Sequence, residues 1–264
     1  MVFLKNLILR RRGLGCVKNE PDSRDRVYNS GSMTIPTEAS LEKYVRGVLD
    51  QGATSSCVAN AVAAAVSIQE VKSGFKYATP SRLFLYWNSR RLASTVLKDE
   101  GTKIRLCCKG LVKYGVPDEK FWPFSRMKIN KKPAPSTPWV KAFARKNGEY
   151  IAITSGGDYR CADIRAAITQ GYPVVFGTEL RKSFQAATGP EHIEKPDSSA
   201  DKKVGRHAMC IVGYKPGYFR VLNSWGTHWR DGGYCWMSED YIKWGESADF
   251  TIIRGWSRIS GGLK

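Results

Sequence analysis

The feature that most constrains this chain is a change of periodicity near its middle. Before the segment KKPAPSTP, which ends at Pro138, the apolar residues recur at helical spacing. After it they fall in short β-rich runs split by glycine and turn residues. Such a division predicts an α+β protein with a helix-rich part, a strand-rich part and a cleft between them. The proline-rich stretch from Asn130 to Pro138 reads as the connection. No internal repeat is visible.

In the first part the strongest pattern is CVANAVAAAVSIQEVK, with apolar residues at 58, 61, 62, 65, 66 and 68. Its alanine content and spacing predict a helix, and Thr54, Ser55 and Ser56 are N-cap candidates. Cys57 then lies in or beside the first turn. SRLFLYWNSRRL, after Pro80, and GTKIRLCCKGLVKYG, ending on Gly115, predict two more helices. Thr37 to Leu49 reads as a short amphipathic helix. In the second part, YIAIT, PVVFG, HAMCIVGY, YFRVLNS, GYCWMS and FTIIRGW read as strands, and CADIRAAITQG as a helix closed by Gly171.

A cysteine at a helix N-terminus is chemically suggestive, because exposed N–H groups and the helix dipole favour the thiolate. Alone it is weak evidence, since most cysteines before an alanine-rich helix are small core residues. His207 opens an apolar strand and Asn223 closes the next one, 16 residues later. An antiparallel pair, residues 208–214 and 219–223 joined by KPGY, brings the two together. The expected geometry has the Asn223 carbonyl accepting the Nδ1 proton of His207, with Nε2 facing the thiol. Gln51, six residues before Cys57, supplies an amide that can join the Cys57 N–H in binding an oxyanion.

These residues fall in three blocks: Gln51-Gly52 with Ser56-Cys57, Gly205-Arg206-His207-Ala208, and Asn223-Ser224-Trp225-Gly226. In order and spacing they resemble the signature blocks of papain-like cysteine peptidases, of a type without a propeptide found in microbes and viruses. NSWGTHWRDGGY is the most specific of them. GTKIRLCCKGLVKYGVPDEKFWPF and AAITQGYPVVFG also resemble family segments, so the likeness extends over roughly residues 45 to 255. The resemblance implies a two-lobed fold, with a helical left lobe and a β-barrel-like right lobe flanking the cleft. It implies Cys57 as nucleophile, His207 as base, Asn223 as orienter and Gln51 in the oxyanion hole. Ser56 and Trp225 are supporting residues, the tryptophan covering the His–Asn hydrogen bond. A polypeptide substrate, an acyl-thioester intermediate and no cofactor or metal follow. Residues 1–36 are then a basic N-terminal arm and 37–264 the peptidase domain, its helical lobe at about 50–135 and its β-rich lobe at about 136–258.

The departures from the family pattern bear on substrate choice and compartment. Thr54 stands where secreted members carry a disulfide cysteine, Ser55 replaces a glycine, Val58 a tryptophan, and Arg230 a glycine. Arg206 adds a charge beside the base, where it is expected to stabilise thiolate or steer acidic substrates. The opening MVFLKNLILRRR has its charge after the apolar stretch, the reverse of a secretory signal. Seven cysteines without a CxxC pair predict neither a zinc site nor a disulfide framework. The expectation is a cytoplasmic or virion-associated protein with no membrane span. An inhibitory proregion of the usual length is not expected, and the N-terminal arm is expected to lie along the enzyme and partly cover the cleft.

Lys and Arg number 42 against 24 Asp and Glu, a net charge of +18. That excess reads as dispersed along the sequence. It admits an acidic or polyanionic partner, and with it an alternative to catalysis: a silent papain-fold structural or polyanion-binding protein.

Overall fold

The computed structural model describes residues 12–146, 148–186, 192–197 and 200–255. The N-terminal stretch read for an export signal lies outside these residues up to position 11.

Three helices dominate the first part: α1 (Cys57–Lys72), α2 (Arg82–Leu92) and α3 (Ile104–Tyr114). Ser81 caps α2 by accepting from the Phe84 N–H. Helix α1 is buried on nearly every side, from Cys57 to Glu70, packed against α2, α3 and the long strand β6 (Lys203–Lys215). That position accounts for its alanines, since only small side chains let three neighbours approach one helix so closely. Glu70, near its end, is buried in an ion pair with Arg145, which also reaches Asp118 at 2.8 Å and the Ala78 carbonyl at 2.9 Å.

The second part is built on one sheet. In chain order it holds β4 (Glu149–Ala152), β5 (Val174–Arg181), β6, β7 (Tyr218–Leu222), β8 (Tyr234–Ser238) and β9 (Ala248–Arg254). In space the order is β4-β9-β5-β6-β7-β8, antiparallel throughout. The sheet does not close on itself among the described residues. Helix α5 (Gly157–Thr169) packs beside it, with α6 (Lys182–Ala186) after β5 and α7 (Glu239–Lys243) after β8. The division into helical and stranded parts thus follows the change of periodicity.

One expected element differs. Residues 37–49 form no α-helix. Ala39–Ser40 is a short strand, β2, pairing antiparallel with Tyr214 and Gly213 of β6, and only Glu42–Tyr44 makes a helical turn. Leu41 is buried and its N–H donates to the Val212 carbonyl at 2.7 Å. β6 runs past the end of β5, whose pairing stops at Ile211, and its Gly213 and Tyr214 offered backbone partners that a short isolated helix could not match. The connection read as extended up to Pro138 also ends early, because α4 (Thr137–Phe143) begins inside it with proline in its first turn.

Two further short strands, β1 (Cys16–Val17) and β3 (Thr102–Lys103), pair in parallel at the edge of the helical part. The N-terminal segment is irregular yet firmly placed. Arg26 and Tyr28 bond the Ala152 backbone at 2.8 Å each, and Arg105 holds Asp25 at 2.5 Å.

Candidate active site

Cys57 is the first residue of α1, with Ser56 at the N-cap position. The loop before it is held by a chain of polar side chains. Thr54 Oγ1 donates to the Gln51 carbonyl at 2.8 Å and meets Ser56 Oγ at 2.7 Å. Asn60 Nδ2 donates to Ser56 Oγ at 3.0 Å, and Arg82 Nη1 donates to Asn60 Oδ1 at 3.1 Å. The turn that a disulfide would fix is fixed here by Thr54. All seven cysteines are free and buried.

His207 lies in β6 and Asn223 just beyond β7, in strands paired at Cys210 and Leu222. The expected juxtaposition is present, with one correction: Asn223 Oδ1 bonds Nε2 of the ring, at 2.8 Å, and Nδ1 is the nitrogen left without a hydrogen bond. The reason is positional. The N–H of Ala208, next in the chain to His207, is directed at the Cys57 sulfur, and Nδ1 is the ring nitrogen nearer the backbone. Asn223 reaches the far tip. Its oxygen is oriented by a second donor, the Ser224 N–H at 2.7 Å. The Trp225 ring covers the imidazole at 4.8 Å between centroids and is itself packed on Trp229 and Phe184.

Gln51 is fully buried and bridges the two parts. Its N–H donates to the Ser224 carbonyl at 3.0 Å, while its Oε1 accepts from Ser224 Oγ at 2.7 Å. That hydroxyl fixes which way the amide faces, and Nε2 points toward Cys57's loop. Ser224 sits inside the most specific block of the sequence but offers no signal of this task on its own.

What occupies the site was not legible in full. Residues 12–17 run through it. The Gly13 carbonyl accepts from Gln51 Nε2 at 2.9 Å, and the same Nε2 donates to the Thr54 carbonyl at 2.8 Å. The Gly15 N–H is directed at the Cys57 sulfur, and the Gly15 carbonyl accepts from Thr102 at 2.9 Å. The Arg12 guanidinium lies 4.8 Å from the Trp225 ring centre. The glycines are required by contact: a Cβ on Gly13 would stand 1.9 Å from the Thr54 oxygen, and one on Gly15 2.0 Å from the Ser55 oxygen. Cys16 fits where Gly177 leaves room, since a Cβ there would be 2.6 Å from its sulfur.

Under this cover Cys57 and His207 are both 0% exposed. Burial pushes the Cys57 thiol up to about 11, against the N–H groups of Ala208, Gly15 and Val58 that favour the thiolate. Burial likewise brings His207 down to about 4; the Asn223 bond opposes this and the Arg12 charge adds to it. The covered site therefore holds a neutral thiol beside a neutral imidazole.

The departures noted in the sequence find places as well. Arg206 pairs with Glu246 at 3.1 Å. Ser55 donates its N–H to Asp99, which also accepts from Tyr86. Val58 is buried core, and Arg230 adopts the left-handed φ of 44° that suits the glycine it replaces.

A cysteine at a helix start, a histidine held by an asparagine and an amide aimed into the same cleft define a cysteine-protease-like site on an α+β frame. The comparisons bear on the family and the fold. The model of the papain family cysteine proteases matches residues 100–252, beginning after Cys57. An uncharacterized peptidase C1-like protein of Acanthamoeba polyphaga mimivirus is 34% identical over 92% of this chain and 87% of its own length. Papain of Carica papaya is 24% identical over 80% of this chain and 57% of its own length. Among solved structures, xylellain, a cysteine protease from Xylella fastidiosa, superposes with a TM-score of 0.83 at 30% identity, covering 93% of this chain and 97% of that one. This chain belongs to the papain family, and its two-lobed α+β architecture is that family's fold.

Proposed function

We propose that this chain is a cysteine endopeptidase, held closed by its own residues 12–17. The observation that carries the reading is a peptide backbone already seated in the site, its Gly13 carbonyl on the Gln51 amide beside Cys57. A groove that binds backbone in this way is suited to a polypeptide substrate.

In the proposed reaction the N-terminal segment withdraws and water enters. The Cys57 thiol rises in acidity, and the imidazole, freed of Arg12 and of full burial, takes its proton at Nδ1. The thiolate attacks a peptide carbonyl, whose developing oxyanion is held by Gln51 Nε2 and the Cys57 N–H. His207 gives its proton to the leaving amine, a thioester forms, and water hydrolyses it with His207 as base. Asn223 keeps Nε2–H engaged throughout, so that Nδ1 faces the sulfur. The test is hydrolysis of a fluorogenic peptide library by protein with residues 1–19 deleted. Cleavage lost in Cys57→Ala supports the reading; no cleavage of any member contradicts it, and favours the silent structural or polyanion-binding alternative.

A further inference from the structure

The charge that reads as dispersed along the sequence is locally dense in one segment. Residues 113–146 carry nine Lys or Arg against only Asp118 and Glu119, a local excess of seven within the chain's +18. Among the described residues only Arg145 of those nine has a carboxylate partner. The other eight cations therefore have no carboxylate within ion-pair distance among the described residues.

The same segment holds three of the seven large apolar side chains that stand exposed among the described residues: Met127 at 85%, Phe143 at 64% and Val140 at 49%. Val140 and Phe143 are three residues apart on α4, on its outward side, while Ala142 between them is buried. The segment is one surface, because Trp122 and Ala142 share a small hydrophobic cluster with Leu83 and Phe84, against which Ile129 and Trp139 pack. Arg90 ties the 126–130 turn to α2 through Asn130 Oδ1 at 2.7 Å. Lys120 and Lys141 flank the Phe121 ring at 5.1 and 5.7 Å, and Lys128 lies 5.0 Å from Trp122.

We infer that this face docks on an anionic lipid surface. The occupant has to be anionic to answer the unpaired lysines and apolar to cover Met127, Val140 and Phe143. A phospholipid bilayer with acidic headgroups meets both demands. A nucleic-acid backbone meets the first, but offers Met127 and Val140 no stacking surface. No helix among the described residues is long and apolar enough to cross a membrane, so the association is peripheral: lysines at the headgroups, Phe143 and Met127 at the acyl boundary.

The inference is independent of catalysis, and is tested on full-length Cys57→Ser protein by co-sedimentation with vesicles. Vesicles of phosphatidylcholine with about 30% phosphatidylserine should retain at least about tenfold more protein than phosphatidylcholine alone, the difference shrinking as salt is raised. Lys120→Gln/Lys128→Gln/Lys132→Gln/Lys141→Gln should abolish that difference with its melting temperature kept. Met127→Ser/Phe143→Ser should weaken retention about fivefold or more while leaving the charge intact. Equal retention on both vesicles, or binding indifferent to both sets of substitutions, overturns the inference. So does salt-sensitive binding to a single-stranded oligonucleotide without vesicle retention, which makes the face a nucleic-acid surface.

Discussion

The Gln51 side-chain amide and the Gly13 carbonyl are hydrogen-bonded at 2.9 Å, so the group proposed to bind a substrate's oxyanion is already engaged by the chain's own backbone. Substituting the tightly held glycines separates cover from chemistry. Gly13→Val/Gly15→Val places Cβ atoms within about 2 Å of the Thr54 and Ser55 oxygens, which no side chain tolerates. The N-terminal segment should detach, and alkylation of Cys57 should accelerate by at least about tenfold. An unchanged rate would show that residues 12–17 do not gate the site.

The covered site also predicts a pH response. His207 titrates at about 4 in the folded, covered chain and ordinarily at 6.5. The unfolded chain therefore takes up the proton first as pH falls, so stability is full above about 6.5 and declines toward about 4. Thermal melts should show this decline in the parent protein, and a smaller one in His207→Gln. With Cys57 raised to about 11, iodoacetamide labelling of the covered protein should stay slow and nearly flat between those two values. In the glycine double variant it should be faster and should rise through the acid limb.

In protein lacking residues 1–19, Gln51→Ala removes an oxyanion donor and should lower kcat by about 10²–10³ with KM little changed. Ser224→Ala leaves the amide in place but releases its Oε1. It should give a smaller loss of the same kind, read from steady-state kinetics.

Away from the site, Arg145→Ala removes the guanidinium paired with buried Glu70 at the end of α1. Chemical denaturation should report a loss of about 3–5 kcal/mol. Glu70→Met/Arg145→Met should recover most of it.

Much of this arrangement is legible in the sequence because it depends on local pattern and spacing. The alanine-rich run starting at Cys57 fixed a helix start, and the distance from His207 to Asn223 fitted one hairpin. What stayed hidden depends on contacts between distant segments. Which ring nitrogen Asn223 reaches depends on how two strands pair, and residues 39–40 turn into strand because β6 runs past the end of β5. The glycines at 13 and 15 look like ordinary loop residues until the 53–55 backbone is seen against them. The alternation Gly-Leu-Gly-Cys was the available sign of a chain passing close to other backbone.

The central claim is that Cys57 is the nucleophile of a site closed by residues 12–17. It is tested most directly by intact-mass and peptide-mapping spectrometry after exposure to an epoxysuccinyl cysteine-protease inhibitor. The Gly13→Val/Gly15→Val protein should carry one adduct, on Cys57 and none of the other six cysteines, while the parent labels slowly and Cys57→Ala does not label. No adduct on the opened protein, or one placed on another cysteine, would contradict the account.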